Sequence, residues 1–231
     1  MSLAPMSVQD AAAITAPRRR VTTVVLPRAT TSAQRITKRA IDVVGASLIL
    51  VLAAPLILVI ALAVRLSSGK HVLFTQERVG LDGRHFRMCK FRTMVHDAEQ
   101  MLLDLRERNE ASGLLFKIKC DPRVTKLGGW LRPLGLDELP QLWNVLKGDM
   151  SLVGPRPALP HEVAQYDERL RGRLQVKPGL TGLWQIKGRH NLSFDDYANY
   201  DLYYVEHQSL ILDAYVLAAT VPALLRRHGS Y

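Results

Sequence analysis

One uninterrupted apolar segment constrains this chain more than any other feature of its sequence. Residues 43–64 form a run of 22 residues without an ionisable side chain. As a straight α-helix rising about 1.5 Å per residue, such a run can cross a bilayer core of roughly 30 Å. A buried helix of a soluble protein is seldom apolar on every face, so the segment predicts a membrane helix.

A proline lies just past the middle of this run. Pro55 removes one helical hydrogen bond and clashes with the preceding turn, which predicts two helical arms joined at a bend. Positive flanks favour the cytoplasmic side, and both flanks are basic: Arg35, Lys38 and Arg39 before the run, Arg65, Lys70 and Arg78 after it. Two arrangements of this one helix fit the pattern. It could be re-entrant, entering and leaving one leaflet, or it could span the bilayer with a tolerated kink. The residues alone leave both open.

The rest of the chain divides into an arm and one globular part. Residues 1–34 mix Ala, Thr, Pro and Arg without periodicity, which is typical of a disordered basic arm. Residues 35–69 contain the membrane helix, and residues 70–231 form the globular domain. In that domain, residues 71–77 and 85–94 predict two strands of a β-hairpin around the glycine-containing turn 80–83.

Beyond the hairpin, glycine and proline breaks separate short helical stretches. We expect helices at residues 97–108, 123–131, 137–147, 162–171, 194–206 and 210–225. The last of them, an amphipathic helix, suits either the domain core or the membrane surface. The fold class predicted is therefore α+β, with an α-rich, irregular cytoplasmic domain and a short β-hairpin.

Charge and cysteine content narrow the classes of function. Lysine and arginine outnumber aspartate and glutamate by 31 to 21, which predicts attraction to nucleic acid, acidic lipid head groups or phosphorylated substrates. Cys89 and Cys120 have neither metal-binding nor redox spacing, which favours a reducing compartment. The sequence contains no Walker phosphate loop, no dinucleotide glycine fingerprint and no histidine pair at helical ligand spacing, so P-loop, Rossmann and zinc chemistry are disfavoured.

Two adjacent carboxylates, Asp137 and Glu138, are the strongest candidates for chemistry. They open the apolar-periodic segment 137–147 and precede Pro140. An ordinary helix start has the same appearance, because aspartate is a favoured N-cap, acidic side chains suit the helix dipole and proline is tolerated in the first turn. On these residues alone, a capping role and a catalytic role both stay open.

Basic stretches elsewhere in the sequence favour a phosphate-rich substrate for this pair. Arg156 lies between two prolines of fixed φ, which would aim its guanidinium at a phosphate. Lys90 and Arg92 alternate along one predicted strand face, and Arg123 adds a further basic group. Carboxylates can hold Mg²⁺ or attack phosphorus while arginines bind phosphate oxygens. Beside a membrane helix, one such substrate is expected to be a lipid.

At these residues the sequence resembles the small monotopic bacterial phosphoglycosyl transferases, the bacterial sugar transferase family. The resemblance runs from about residue 38 to the C-terminal Gly-Ser-Tyr and covers nearly all of the chain outside the arm. It rests on ordered blocks: Lys38-Arg39 with Asp42, Gln76-Glu77-Arg78 with Gly80 and Gly83, residues 90–94, 123–125, 136–141, 148–151 and 153–157, and Lys177-Pro178-Gly179 with Thr181-Gly182.

This resemblance implies transfer of a sugar 1-phosphate from a UDP-sugar to polyprenyl phosphate, usually undecaprenyl phosphate, with release of UMP. It implies that Asp137 is the nucleophile of a covalent phosphosugar intermediate, with Glu138 beside it, and that Mg²⁺ on these carboxylates is required. It also implies that Arg132 and Arg156 bind phosphate and that Pro55 bends a re-entrant helix. The enzyme would start exopolysaccharide or other surface glycan synthesis at the inner face of the bacterial cytoplasmic membrane.

Further candidate contacts extend this site. We expect Lys90, Arg92 and Arg123 to contact phosphate, and Gln185 and Arg189 to contact the nucleotide or the sugar, unless their loop is purely structural. The implied partners are a UDP-sugar, polyprenyl phosphate and the membrane, without nucleic acid, and a homodimer is left open. The sugar and the glycan pathway are also left open, because specificity can turn on a few hydrogen bonds.

Three positions depart from the family pattern, and two other classes of function stay open. Gly135 stands where many members carry Ser or Thr, Pro133 where a basic residue is common, and Ala54 where Ser often precedes the proline. The chain could instead be a membrane-tethered protein that binds nucleic acid or acidic lipid, or an inactive relative that serves as a scaffold. The intact Asp137-Glu138 pair argues against both.

Overall fold

The computed structural model describes residues 30–69, 71–105, 118, 120–187 and 193–225, so residues 1–29 of the predicted arm lie outside it. The described chain is α-rich with two small β-sheets and one long apolar N-terminal helix, which confirms the α+β class. In chain order the elements are α1 (Ser32–Ser68), β1 (Leu73–Val79), β2 (His85–Phe91), α2 (Met101–Asp104), α3 (Lys126–Leu131), α4 (Gln141–Lys147), β3 (Ser151–Val153), α5 (Pro160–Val163), α6 (Glu168–Arg171), β4 (Gly179–Thr181), α7 (Leu183–Lys187), α8 (Phe194–His207) and α9 (Leu210–Leu225).

Helix α1 carries the whole apolar run in 37 residues, with Pro55 inside it. Thr31 and Gln34 form a capping box, in which each side chain accepts a hydrogen bond from the other's backbone N–H. This box starts the helix at Ser32, inside the predicted arm. The helix is long and apolar enough to cross a membrane, and only 11% of its most apolar 18-residue stretch is buried. A core helix would be mostly buried, so this exposure favours contact with lipid.

Polar side chains attach the first turns of α1 to the globular domain. The buried carboxylate of Asp42 accepts hydrogen bonds from Ser151 Oγ and Leu152 N, both at 2.9 Å. Lys38 forms an ion pair with Asp213 at 2.8 Å. Such buried charges need partners, and here each one has a partner on a different element. These contacts fix α1 relative to β3 and α9.

A second basic residue of this flank, Arg39, completes the end of α4. Its guanidinium donates to Val145 O at 2.6 Å and to Leu146 O at 2.7 Å. Carbonyls in the last turn of a helix lack intrahelical partners, and a cation there also suits the helix dipole. Lys38 and Arg39 of the basic flank before the apolar run therefore form contacts within the globular domain.

The second half of α1 packs against the same domain. Ile60 and Val64 are buried in a cluster with Phe91 of β2 and Leu131 of α3. Ala46, in the first half, is buried in the main core. Residues on both sides of Pro55 therefore contact one globular unit.

The predicted β-hairpin is confirmed, and a second sheet accompanies it. Strands β1 and β2 pair antiparallel, from Leu73 opposite Phe91 to Val79 opposite His85. Strands β3 and β4 pair in parallel, which the sequence did not predict. Strands of three residues are too short for an alternating pattern to be recognised.

Several helices are shorter than their sequence patterns predict. The segment 137–147 begins as a 3₁₀ turn at Leu136–Glu138, and α4 starts only at Gln141. The segment 162–171 is divided into α5 and α6 because Asp167 caps a new helix there. Of the predicted helix 97–108, the structure describes only Met101–Asp104 as helical.

The main core lies where α1, α4, α8 and α9 meet the β3–β4 sheet. Helix α9 was predicted to lie either on the domain core or on the membrane surface. It packs on the core, where Leu212 and Val216 are fully buried, although Val221 near its end is exposed. The other large side chains buried in this cluster are Met88, Leu142, Val145, Met150, Leu152, Val153, Val176, Leu183, Tyr200, Leu202, Tyr204 and Val205. This core supports α4 and the turn that precedes it, which carry the candidate site.

Two adjacent glycines of α3 provide a matched test of packing. A Cβ at Gly128 would overlap the carbonyl oxygen of Thr93 and lie 2.8 Å from Thr93 Cβ, whereas a Cβ at Gly129 would meet nothing within 4 Å. We expect Gly128→Ala to lower the free energy of unfolding by about 2 kcal/mol through overpacking. Gly129→Ala should raise it by about 0.5–1 kcal/mol, because alanine favours helix.

Thermal unfolding of the detergent-solubilised variants measures both changes. Equal melting temperatures for the two alanine variants would contradict the close approach of α3 to Thr93.

Candidate active site

A short irregular turn presents the two adjacent carboxylates. Gly135 has φ +65°, a conformation that favours glycine, and it starts the 3₁₀ turn Leu136–Glu138. The residues that cap this turn and α4 are Gly135 and Pro140, so Asp137 is not the helix N-cap that its position allowed. Glycine at position 135 therefore suits the backbone conformation that starts this turn.

The same turn packs on a cluster to which the apolar helix contributes. Leu136 and Leu139, on either side of the carboxylates, pack against the cluster that Ile60 and Val64 of α1 form with Phe91 and Leu131. The site therefore lies next to the segment that is expected to contact lipid.

Asp137 is a buried carboxylate, only 7% exposed. Burial raises its pKa above the ordinary value, and the neighbouring charge of Glu138 raises it further. Lys90 and Arg132 act in the opposite direction and favour the ionised form. A poorly solvated carboxylate whose ionised form is favoured by nearby cations is suited to act as a nucleophile.

Two cations come to this pair from different elements. Lys90, on β2, lies 3.5 Å from Glu138 Oε1. Arg132, just after α3, donates from Nε to Thr93 Oγ1 at 2.9 Å. Burial lowers the pKa of Arg132, while the charges of Asp137 and other acids oppose this. The hairpin and α3 thus bring Lys90 and Arg132 near the carboxylates, and their predicted role in binding phosphate stays a prediction.

Arg156 lies on the loop after β3, and this loop is tightly fixed. Its N–H donates to Asp201 Oδ2 at 3.3 Å, and its carbonyl accepts from Arg173 Nη2 at 3.3 Å. Its guanidinium Nη1 lies 3.3 Å from Glu162 Oε1, while 26% of the side chain stays exposed. Asp201 and Arg173 form a fully buried ion pair at 2.8 Å. The exposed part of Arg156 is accordingly held on a rigid frame.

Arg78 is a buried cation that feels the charges of both Arg156 and Glu138. It is 6% exposed and donates to Pro157 O at 2.8 Å. Burial and the charge of Arg156 lower its pKa to about 9, and Glu162 and Glu138 oppose this shift. Arg78 is therefore bonded to the Arg156 loop and is coupled electrostatically to Glu138.

The remaining predicted contacts have other partners in the structure. Arg123 forms a buried ion pair with Asp121 at 2.7 Å, and Arg92 lies over the ring of Phe74 at 6.0 Å. Gln185 Nε2 donates to Leu180 O at 3.0 Å. Arg189 lies outside the described residues. A role of these four residues in binding substrate stays a prediction.

The donor set at Asp137 and Glu138 fits Mg²⁺ rather than a metal held by the protein alone. Within the ranges that the structure describes, no group of three or more His, Cys, Asp or Glu side chains could hold a metal ion. Mg²⁺ commonly binds through one or two carboxylates and completes its shell with water and substrate phosphates. Two adjacent carboxylates beside the cations Lys90 and Arg132 meet that requirement.

Comparison with known proteins decides the family. Residues 33–227 match the sequence model described as bacterial sugar transferase, which is most of the chain. The chain belongs to the bacterial sugar transferase family. Among its relatives in this family, the exopolysaccharide production protein ExoY of Sinorhizobium fredii is 40% identical over 200 residues, which are 85% of this chain and 88% of ExoY.

Two longer relatives carry names that state a sugar or a lipid. The galactosyl transferase CpsE of Streptococcus agalactiae is 42% identical over 196 residues, which are 84% of this chain and 43% of CpsE. The undecaprenyl-phosphate galactose phosphotransferase of Salmonella typhimurium is 40% identical over 201 residues, or 85% of this chain and 42% of that enzyme. The chain thus spans less than half the length of these two relatives.

Three residues that contact the Arg156 loop were not predicted as site residues from the sequence: Arg78, Glu162 and Asp201. Arg78 was noted as part of a basic flank and of a family block, and Glu162 and Asp201 fell within predicted helices. Each is almost fully buried and bonded to the Arg156 loop or its guanidinium. Charged residues are almost never fully buried unless they are paired, but burial is visible only in the fold. The only sequence feature that could have identified any of the three is the family block Gln76-Glu77-Arg78.

The raised pKa of Asp137 makes stability depend on pH. The folded state holds the proton of this group more tightly than the unfolded state, whose pKa is near 3.8. Folding stability is therefore lost as the pH rises from about 4 through the folded pKa. Asp137→Asn removes this cost, so we expect it to raise the free energy of unfolding at pH 7.5 by about 1 kcal/mol.

Thermal unfolding at several pH values measures this change, and the advantage of Asp137→Asn should shrink towards pH 4. The exposed Asp104 provides the control, because Asp104→Asn should leave the melting temperature within about 1 °C at each pH. A lower melting temperature for Asp137→Asn at pH 7.5 would show that the charged carboxylate stabilises the fold instead.

Proposed function

We propose that this protein transfers a sugar 1-phosphate from a UDP-sugar to a polyprenyl phosphate and releases UMP. The observation that carries the proposal is the buried Asp137, which is poorly solvated and lies beside Glu138, Lys90 and Arg132. The names of relatives support the substrate class, because they include undecaprenyl-phosphate galactose and glucose phosphotransferases. The name of ExoY supports a place at the start of exopolysaccharide synthesis.

In the first half-reaction, a carboxylate oxygen of Asp137 forms a bond to the phosphorus that carries the sugar. The bond from that phosphorus to the bridging oxygen breaks, and UMP leaves with the electron pair. Covalent catalysis divides one difficult transfer into two steps, so the two anionic substrates need not occupy the site together.

In the second half-reaction, an oxygen of the polyprenyl phosphate attacks the same phosphorus. The bond to Asp137 breaks, and the carboxylate returns to its ionised form. The product is a polyprenyl diphosphate sugar, and the charges of Lys90 and Arg132 favour return of the anion.

Cations placed in advance around the transferred group lower the cost of its developing charge. We assign this task to Lys90 and Arg132 next to Asp137 and to Arg156 on its fixed loop. Asp137 and Glu138 would hold Mg²⁺, which when bound neutralises phosphate charge. Arg156 is suited to a phosphate because its planar guanidinium can donate two parallel hydrogen bonds.

For the anchor, we propose a re-entrant helix that keeps both ends of α1 in the cytoplasm. Ala46 and Val64 both pack on the same domain, although 18 residues of straight helix between them would rise about 27 Å. In a helix that crossed the bilayer, one of these contacts would lie near the far side. Trp130 and Trp143 flank the site and are 69% and 59% exposed, as suits side chains at a membrane interface.

Release of UMP by detergent-solubilised protein tests the reaction. With undecaprenyl phosphate, Mg²⁺ and a panel of UDP-sugars that starts with UDP-galactose and UDP-glucose, we expect release with at least one donor. Asp137→Asn should lower the rate by at least about 10⁴-fold, as expected for removal of a nucleophile, and EDTA should stop release until Mg²⁺ is restored. The exposed Asp104→Asn is the matched control and should keep the wild-type rate.

No release with any donor, with an acceptor that is active for another enzyme, would favour a scaffold or a binding protein. Release that persists in Asp137→Asn would overturn the covalent mechanism but keep the overall reaction.

Cysteine labelling tests the re-entrant helix. In a background that carries Cys89→Ser and Cys120→Ser, single cysteines replace Ser32 and Ser67, which are exposed in the first and last turns of α1. With a membrane-impermeant reagent, both should react in inverted membrane vesicles and neither in intact cells with a permeabilised outer membrane. Reaction of the two cysteines from opposite sides would establish a spanning helix.

A further inference from the structure

Arg156 does not project freely from its loop, because a buried carboxylate holds one edge of its guanidinium. Nη1 of Arg156 lies 3.3 and 3.4 Å from the two oxygens of Glu162. Glu162 is only 3% exposed, whereas 26% of the Arg156 side chain is accessible. Since a planar guanidinium turns as one unit, fixing one edge fixes the direction of its exposed part.

Glu162 is itself held in place by the backbone. Its Oε2 accepts a hydrogen bond from Leu159 N at 2.8 Å, across the first turn of α5. The carboxylate therefore has one fixed backbone partner and one cationic partner. A side chain held in this way can orient its neighbour at little cost in conformational entropy.

Arg78 supports the same loop from the other side. It donates from Nη1 to Pro157 O at 2.8 Å and from Nη2 to Gln76 Oε1 at 2.6 Å. Both of these hydrogen bonds go to neutral acceptors. Among the described residues, no carboxylate is hydrogen-bonded to the buried guanidinium of Arg78. Arg78 and Arg156 repel one another, and Glu162 attracts both.

We propose that Glu162 and Arg78 are positioning residues that hold the Arg156 guanidinium towards the phosphates of the sugar donor. One carboxylate against two guanidiniums leaves positive charge that an anionic ligand can neutralise, whereas Arg173 and Asp201 below them neutralise each other. This inference rests on the role in phosphate binding that the proposed function gives to Arg156.

A double-mutant cycle separates positioning from a purely structural role. Glu162→Gln keeps the size and the acceptor oxygen but removes the charge that holds Arg156. We expect kcat/KM for UDP-galactose, or for the donor that the panel selects, to fall about tenfold in Glu162→Gln, mainly through KM. In an Arg156→Ala background the same change should alter kcat/KM by less than about twofold, because Glu162 acts through Arg156.

The controls concern folding and charge. The exposed Glu168→Gln, on the next helix, removes a charge without contact to Arg156 and should leave kcat/KM unchanged. Melting temperatures of all variants show whether the fold is kept. An equal loss in both backgrounds, or wild-type kinetics for Glu162→Gln, overturns the proposal for Glu162.

A second variant covers the case in which Glu162→Gln does not fold. Arg78→Lys keeps the charge but cannot reproduce the two hydrogen bonds to Pro157 O and Gln76 Oε1. It should raise KM for the donor several-fold more than it lowers kcat, and only when Arg156 is present. The exposed Arg84→Lys is its control, and equal effects with and without Arg156 overturn the proposal for Arg78.

Calorimetric binding of UDP distinguishes failure of this inference from failure of the proposed function. UDP carries both donor phosphates, and its affinity is measured without turnover. If the wild type releases no UMP, the proposed reaction fails, and the cycle is then measured on the UDP dissociation constant. Weaker UDP binding in Glu162→Gln that disappears in the Arg156→Ala background still supports positioning, and unchanged binding overturns it.

Discussion

The docking of both halves of the apolar helix α1 on one domain is the constraint on which the rest of the structure depends. Asp42 ties the first half to the backbone of β3, and Ile60 and Val64 bury the second half against β2 and α3. Because Leu136 and Leu139 belong to the same contact, the turn that carries Asp137 is fixed relative to the helix. In the proposed reaction a lipid acceptor and a water-soluble donor meet at Asp137, and this packing places Asp137 near the exposed apolar helix.

The candidate site is formed at a cost to stability. Asp137 is buried, its neighbour carries the same charge, and both effects raise its pKa. Lys90 and Arg132 offset part of this cost from the hairpin and from the end of α3. Removal of a carboxylate from water weakens its solvation, and a weakly solvated anion is a better nucleophile when cations keep it ionised. The same burial therefore explains both the cost to the fold and the suitability of this residue for covalent catalysis.

The cations of the site are held by two different kinds of contact. Lys90 forms an ion pair with Glu138 and, with Arg132, acts electrostatically on Asp137, whereas Arg156 belongs to a loop whose backbone is bonded to Arg78, Arg173 and Asp201. Buried ion pairs contribute little net stability unless their geometry is favourable, so such a frame is better understood as a means of fixing one exposed guanidinium. Precise placement of charge before the reaction is what electrostatic catalysis requires.

The sequence by itself determined the elements with a strong local signal. The apolar run, the hairpin around its glycine turn, helices α8 and α9, and the Asp137-Glu138 pair were all predicted, because period, turn chemistry and composition are properties of neighbouring residues. Only the tertiary structure decided that Asp137 is no helix cap, that β3 pairs with β4, that Arg123 is paired with Asp121, and that Arg78 and Glu162 adjoin Arg156. These contacts join residues that are far apart in the chain. The local sequence pattern around one residue therefore does not indicate which distant residue it contacts.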